Sequence, residues 1–124
     1  MAAELSLSGL TISFTKSGSP SFGPIVVAAI TPTVAGSQWM DNTQSIGFAA
    51  EEALLLGDVV GGYVFLQNLD ATNFVSIRAG TGLGNFAKLL AGEWALFRLG
   101  SGAAAPFAIA DTAAVNLRIV QFDL

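Results

Sequence analysis

The sequence predicts an all-β chain, an antiparallel β-sandwich or jelly-roll-like single domain. Three observations carry that expectation. Apolar and polar residues alternate with a period of two at both ends, as in strands with one buried face. Gly, Pro, Asn and Asp interrupt the apolar segments at short intervals, a turn spacing that suits a sandwich or barrel of about eight to ten strands. Tyr63-Val-Phe-Leu66 is a continuous apolar run, which reads as a strand covered on both faces.

Taken in order, Leu5, Leu7, Leu10, Ile12 and Phe14 alternate with Ser and Thr. The phase slips by one residue at Gly9–Leu10, and a slip turns the second half outward unless an extra residue is accommodated. Gly9 is therefore a candidate β-bulge. Further strands are expected near 25–30, 38–40, 45–48, 53–56, 63–67, 74–78, 86–90, 94–99 and 107–110. The last strand runs over 115–124, with a second slip between Ile119 and Val120 that implies a bulge or a change of environment. Two stretches also fit a helix. Ala49 to Leu56 is rich in helix formers and precedes Gly57 placed like a C-cap, and Asn85 to Leu90 fits one capped turn. Helices so short are marginal, and the flanking β pattern favours strands. A faint internal echo joins Tyr63 to Leu66, Asp70 and Val75-Ser-Ile-Arg78 with Trp94 to Phe97, Asp111 and Val115-Asn-Leu-Arg118. It fits an old hairpin duplication or the common grammar of hairpins.

With 124 residues, the chain fits one domain, 1–124, with residues 1–8 as a candidate N-terminal arm. Charged residues are only 11% and hydrophobic residues 52%, against about 25% charge in an average soluble domain. A small monomer has too much surface to hide that much apolar material, so burial in an assembly is expected; a surface of Ser, Thr, Asn and Gln is the alternative. The chain contains neither Cys nor His. Disulfides, thiolate metal sites, histidine metal sites and the Ser-His and Cys-His nucleophile pairs are thereby excluded. The five bases, Lys16, Arg78, Lys88, Arg98 and Arg118, are scattered in a chain of net charge −4. No nucleic-acid partner and no membrane partner are expected, because both need clustered cations. The opening Met1 to Leu7 does not read as a signal peptide, lacking a basic region and an apolar core.

No motif carries chemistry. Gly80-Thr-Gly-Leu-Gly84 has the wrong spacing for a dinucleotide fingerprint and no Gly-Lys-Ser/Thr ending, so it reads as a hairpin loop. Glu51 and Glu52 would point to opposite faces of a strand. Asp41, Asp58, Asp70, Asp111 and Asp123 sit near turns, without calcium-loop spacing. No catalytic residue, cofactor or metal is expected, and the chain is not expected to be an enzyme. Trp39, Tyr63 and Trp94 are candidates for a sugar-stacking platform. Tyr63 and Trp94 stand inside apolar strands, which predicts core or interface packing for them. Trp39 lies in the polar setting Ser37-Gln-Trp-Met-Asp-Asn42 and is the candidate exposed anchor for a protein contact. The candidate interface residues are Leu5, Leu7, Trp39 and Met40.

The stretch Gly62-Tyr-Val-Phe-Leu-Gln-Asn-Leu-Asp-Ala-Thr-Asn-Phe-Val-Ser-Ile77, followed by Lys88-Leu-Leu-Ala-Gly-Glu-Trp-Ala-Leu-Phe-Arg-Leu99, resembles small virion proteins of tailed bacteriophages over residues 60–124. The resemblance implies a non-enzymatic viral structural protein that decorates or cements a capsid, or that sits at a head–tail or tail position. It implies the major capsid protein or other virion proteins as partners, a homo-oligomer such as a trimer, and a virion location on the capsid surface after synthesis in the host cytoplasm. The alternative expectation is a carbohydrate- or receptor-binding sandwich of tail-fibre type. An exposed Trp39 beside Asp41 and Asn42 would favour the alternative, and a Trp39 pressed against a protein neighbour would favour assembly.

Overall fold

In the computed structural model the residues described are 3–4, 6–14, 22–34, 39–56, 62–100 and 104–122. Among them there are strands and no helix. The strands are β1 (Ala3–Glu4), β2 (Thr11–Phe14), β3 (Phe22–Val26), β4 (Thr33–Val34), β5 (Trp39–Ile46), β6 (Glu52–Ala53), β7 (Gly62–Asn68), β8 (Val75–Arg78), β9 (Asn85–Leu89), β10 (Trp94–Leu99), β11 (Phe107–Ala110) and β12 (Val115–Phe122). Both ambiguous stretches are free of helix: residues 48–50 form a bend before β6, and β9 takes the second.

The chain divides into two units, Met1–Ala35 and Gly36–Leu124. In the second, eight strands form two four-stranded sheets, ordered β10-β7-β12-β5 and β6-β11-β8-β9. The antiparallel partners are nested: β5 with β12, β6 with β11, β7 with β10, β8 with β9. The pairs β12–β7 and β11–β8 then close each sheet. A long four-deep hairpin rolled into two sheets is the jelly-roll arrangement.

Strand periodicity builds the core between these sheets. Val64 and Leu66 of β7, Val115, Leu117 and Ile119 of β12, and Ile46 of β5 meet Val75, Ile77, Leu89, Ala108 and Ala110 of the other sheet, joined by Leu54 and Leu56. Two side-chain amides, Asn68 fully buried and Gln44 half-buried, tie the strands together. Asn68 Nδ2 donates to the carbonyls of Asn73 (2.8 Å) and Leu89 (3.1 Å), while its Oδ1 accepts from the Asp70 amide (2.9 Å). Gln44 on β5 bridges to the edge strand of the other sheet, donating to Glu52 Oε1 and the Ala53 carbonyl and accepting from the Leu55 amide. Gly92, at φ 79°, takes the left-handed position of the tight β9–β10 turn, where a side chain is strained.

The expected slip at Ile119–Val120 does not occur. β12 keeps register with β5 and β7 throughout. Gln121 occupies the inward, fully buried position, whereas Val120 and Phe122 face outward. The apparent slip reflects a polar residue placed in the core. Of the two echo segments, the aromatic-led strands β7 and β10 pair within one sheet, whereas the Arg-ending strands β8 and β12 lie in opposite sheets with matching orientation. Val75, Ile77, Val115 and Leu117 point inward, and Arg78 and Arg118 each meet a carboxylate, Glu51 and Asp41. Their Asp/Thr turns touch, through Asp111 N to Phe74 O (3.1 Å) and Thr112 Oγ1 to Asn73 Oδ1 (3.2 Å).

The first unit consists of two antiparallel arms. β1 pairs with β4, Leu7 bridges to Ile30, and β2 pairs with β3. Gly9 is not an inserted bulge residue: between the Leu7–Ile30 and Thr11–Val26 pairs both arms advance by four residues. The irregularity falls between Ile12 and Phe14. Gly9 instead interrupts the strand with a left-handed backbone, φ 83°. None of the described side chains of this unit is buried, and Leu10, Ile12, Ile25, Val26, Val27 and Ile30 are 40–74% exposed.

Candidate functional site

The most distinctive surface is the outer face of the β10-β7-β12-β5 sheet. Alternation along each strand sends aliphatic residues inward and the next residues outward. On β7 the inward set is Val64, Leu66 and Asn68, leaving Tyr63, Phe65 and Gln67 outside. On β10 Ala95, Phe97 and Leu99 pack on the core, leaving Trp94, Leu96 and Arg98 outside. Register then fixes three rows across the four strands. The first row is Arg98, Tyr63, Phe122 and Trp39; the second is Leu96, Phe65, Val120 and Asp41; the third is Trp94, Gln67, Arg118 and Thr43. Aromatic residues suit such half-covered strand positions.

Trp39 is 68% exposed and Trp94 48%, while Tyr63, Phe65 and Phe122 are half-buried among their neighbours. The Phe65 and Trp94 ring centroids are 6.0 Å apart and tilted by 30°, within the range of favourable aromatic pairs. The Arg98 guanidinium lies 5.9 Å from the Tyr63 ring centroid, a cation–π distance. Arg118 forms a two-pronged contact with Asp41, Nε to Oδ1 at 2.9 Å and Nη2 to Oδ2 at 2.7 Å. Hydrogen bonding to that guanidinium holds the Asp41 carboxyl below its ordinary range and raises Arg118 in turn. The face thus combines apolar rings with a fixed, internally neutralised polar pair.

The sequence-predicted residues separate here. Trp39 joins this face. Met40, the next residue, points to the opposite side and packs against the core. Leu7 is half-buried at its bridge to Ile30 in the first unit, and Leu5 lies outside the described residues. Tyr63 and Trp94, expected to pack in a core or interface, do not enter the sandwich core and share the outer face with Trp39. Asp41 shares it too, whereas Asn42 belongs to the row of Ala95, Leu66 and Ile119 on the inner side. A readable signal existed in β7, where the rings of Tyr63 and Phe65 occupy one phase and the aliphatic Val64 and Leu66 the other. No single segment, however, reveals that β7, β10, β12 and β5 are neighbours.

The remaining acidic groups hold loops. Glu51 Oε1 accepts from Thr81 Oγ1 (2.8 Å) and Gly82 N (2.7 Å), and its Oε2 accepts from Arg78 Nη1 (2.7 Å). These contacts, led by the Arg78 hydrogen bond, lower the Glu51 pKa to about 2. The glycine-rich segment 80–84 is accordingly the β8–β9 hairpin loop, latched to Glu51. Glu52 accepts instead from Gly47 N and Gln44, so the two adjacent acids serve different partners. Asp70 caps its own turn through the Thr72 and Asn73 amides, which lower its pKa. Among the described residues no cluster of three or more metal-ligating side chains forms. Compared with protein-family models, with curated proteins and with solved structures, the chain matches none of them.

Proposed function

We propose that this chain is a non-enzymatic structural protein that decorates or cements a bacteriophage-type capsid as a homo-oligomer. Its major partner is the capsid shell protein or another virion protein, and its N-terminal unit makes the assembly contact. One observation carries the reading: the unit Met1–Ala35 presents aliphatic side chains with none of its described side chains buried. A two-stranded ribbon is marginal in water without further packing, and its long edges offer backbone groups to another chain. Residues 6–14 carry neither charge nor proline, the two devices that normally guard a strand edge against pairing. The jelly roll is an architecture used by viral shell proteins and by lectins alike, which supports the reading by analogy only.

The contact would work by accumulation. Each copy adds a small burial energy, and many copies on one shell add up, because only the bound assembly gains it. Sedimentation tests this. The wild-type chain is expected to run as a trimer and to co-sediment with phage shells. Ile12→Asp with Val26→Asp, or deletion of residues 2–8, should leave the sandwich folded by circular dichroism while abolishing or weakening co-sedimentation. A strictly monomeric wild type that co-sediments with no shell would refute the proposal.

A further inference from the structure

We propose that the outer face of the β10-β7-β12-β5 sheet is a glycan-binding platform, and that its ligand is an extended, uncharged chain of β-linked pyranoses lying along the row Tyr63, Phe122 and Trp39. The inference is independent of the assembly reading, since it uses the sandwich and none of residues 1–35.

The row sets one ring on each of three adjacent strands, β7, β12 and β5. Neighbouring strands lie about 4.8 Å apart, close to the length of one pyranose in an extended chain. Pyranoses with equatorial hydroxyls have an apolar C–H face and a polar rim. The face stacks on an aromatic ring, and the rim needs donors and acceptors alongside. Those stand in the neighbouring positions of the same face: Asp41 and Arg118, held rigidly against each other, with Thr43, Gln67 and Arg98.

Size suits a short oligosaccharide. The four strands span about 20 Å across the row, which matches an oligosaccharide of about four residues laid over them. Charge argues against an acidic ligand. Arg118 is neutralised by Asp41, Arg98 is the other cation of the three rows, and the molecule carries a net charge of −4.

Both tryptophans of the chain, Trp39 and Trp94, lie on this face, so intrinsic fluorescence reads it directly. The full-length protein is titrated with cellohexaose and, separately, with chitohexaose. At least one probe should give a saturable change in emission with a dissociation constant of about 1 mM or tighter. Trp39→Ala should weaken binding about tenfold or more, Trp39→Phe should retain most of it, and both variants should keep the wild-type circular dichroism. No saturable change with either hexasaccharide overturns the proposal. Equal binding by Trp39→Ala and wild type does the same. A lower sedimentation coefficient for Trp39→Ala, marking the face as a contact between copies, overturns it as well.

Discussion

Replacing Asn68 by alanine should be among the most destabilising single changes in the sandwich. Its side chain is fully buried at the end of β7 and makes three hydrogen bonds, to Asn73 O, Leu89 O and Asp70 N. These link β7 to the start of β8 and the end of β9, and so one sheet to the other. Each such bond contributes about 1 kcal/mol net, which sets a floor of about 3 kcal/mol for losing all three. Water reaching the vacated groups would hold the loss near that floor; their remaining dry would raise it to about 5 kcal/mol. A domain of this size shifts by about 4–8 °C per kcal/mol, so the melting temperature should fall by roughly 12 °C or more. The assay is urea and thermal unfolding at fixed protein concentration, because self-association would otherwise shift the midpoint. Asn116→Ala is the control: its side chain is exposed on the outer face of the same sheet, and the change should stay within about 0.5 kcal/mol. A loss below about 1 kcal/mol for Asn68→Ala would refute the view that this amide knots the two sheets together.

Glu51→Gln should flatten the acid limb of stability. The folded pKa of Glu51, about 2, lies below its ordinary 4.5, so its contribution is complete above about 4.5 and is lost as pH falls through about 2; unchanged urea midpoints across that window would contradict the latch to Gly82 and Arg78. Some acid dependence should survive in that variant, since Asp41 and Asp70 are also held low. Adjacent residues on β12 should behave oppositely. Ile119→Ala, fully buried, should cost about 2–5 kcal/mol, whereas Val120→Thr, outward on the same strand, should cost under about 1 kcal/mol. Similar losses at the two positions would mean that β12 slips after all.

Composition and periodicity were enough to reach an all-β sandwich. Trp94–Leu99 and Phe107–Ala110 could be bounded from their turn residues alone, because Gly100, Asp111 and their neighbours end strands for local reasons. Local pattern was also enough to reject helix at 85–89, where the surrounding chain pairs as strands. It misread β12. A buried glutamine at 121 imitates a phase slip, and only the unbroken pairing with β5 and β7 reveals that the polar residue is inside. It misread Gly9 as well, since counting residues along one arm cannot show that the other arm advances equally.

The outer face was the least legible feature. Trp39, Asp41, Tyr63, Trp94, Arg118 and Phe122 are spread over more than eighty positions of sequence, and each segment shows only its own alternation. Period two determines that a residue is on one side of its strand or the other. Which sheet the strand enters, and which strand lies beside it, is decided by long-range pairing. In this molecule that pairing is the nested order that sets β12 between β5 and β7. A strand's own sequence therefore determined what points inward, through the burial of its aliphatic phase, while the tertiary structure alone decided which outward side chains became neighbours, because hydrogen-bonded register acts between segments that are far apart in the chain.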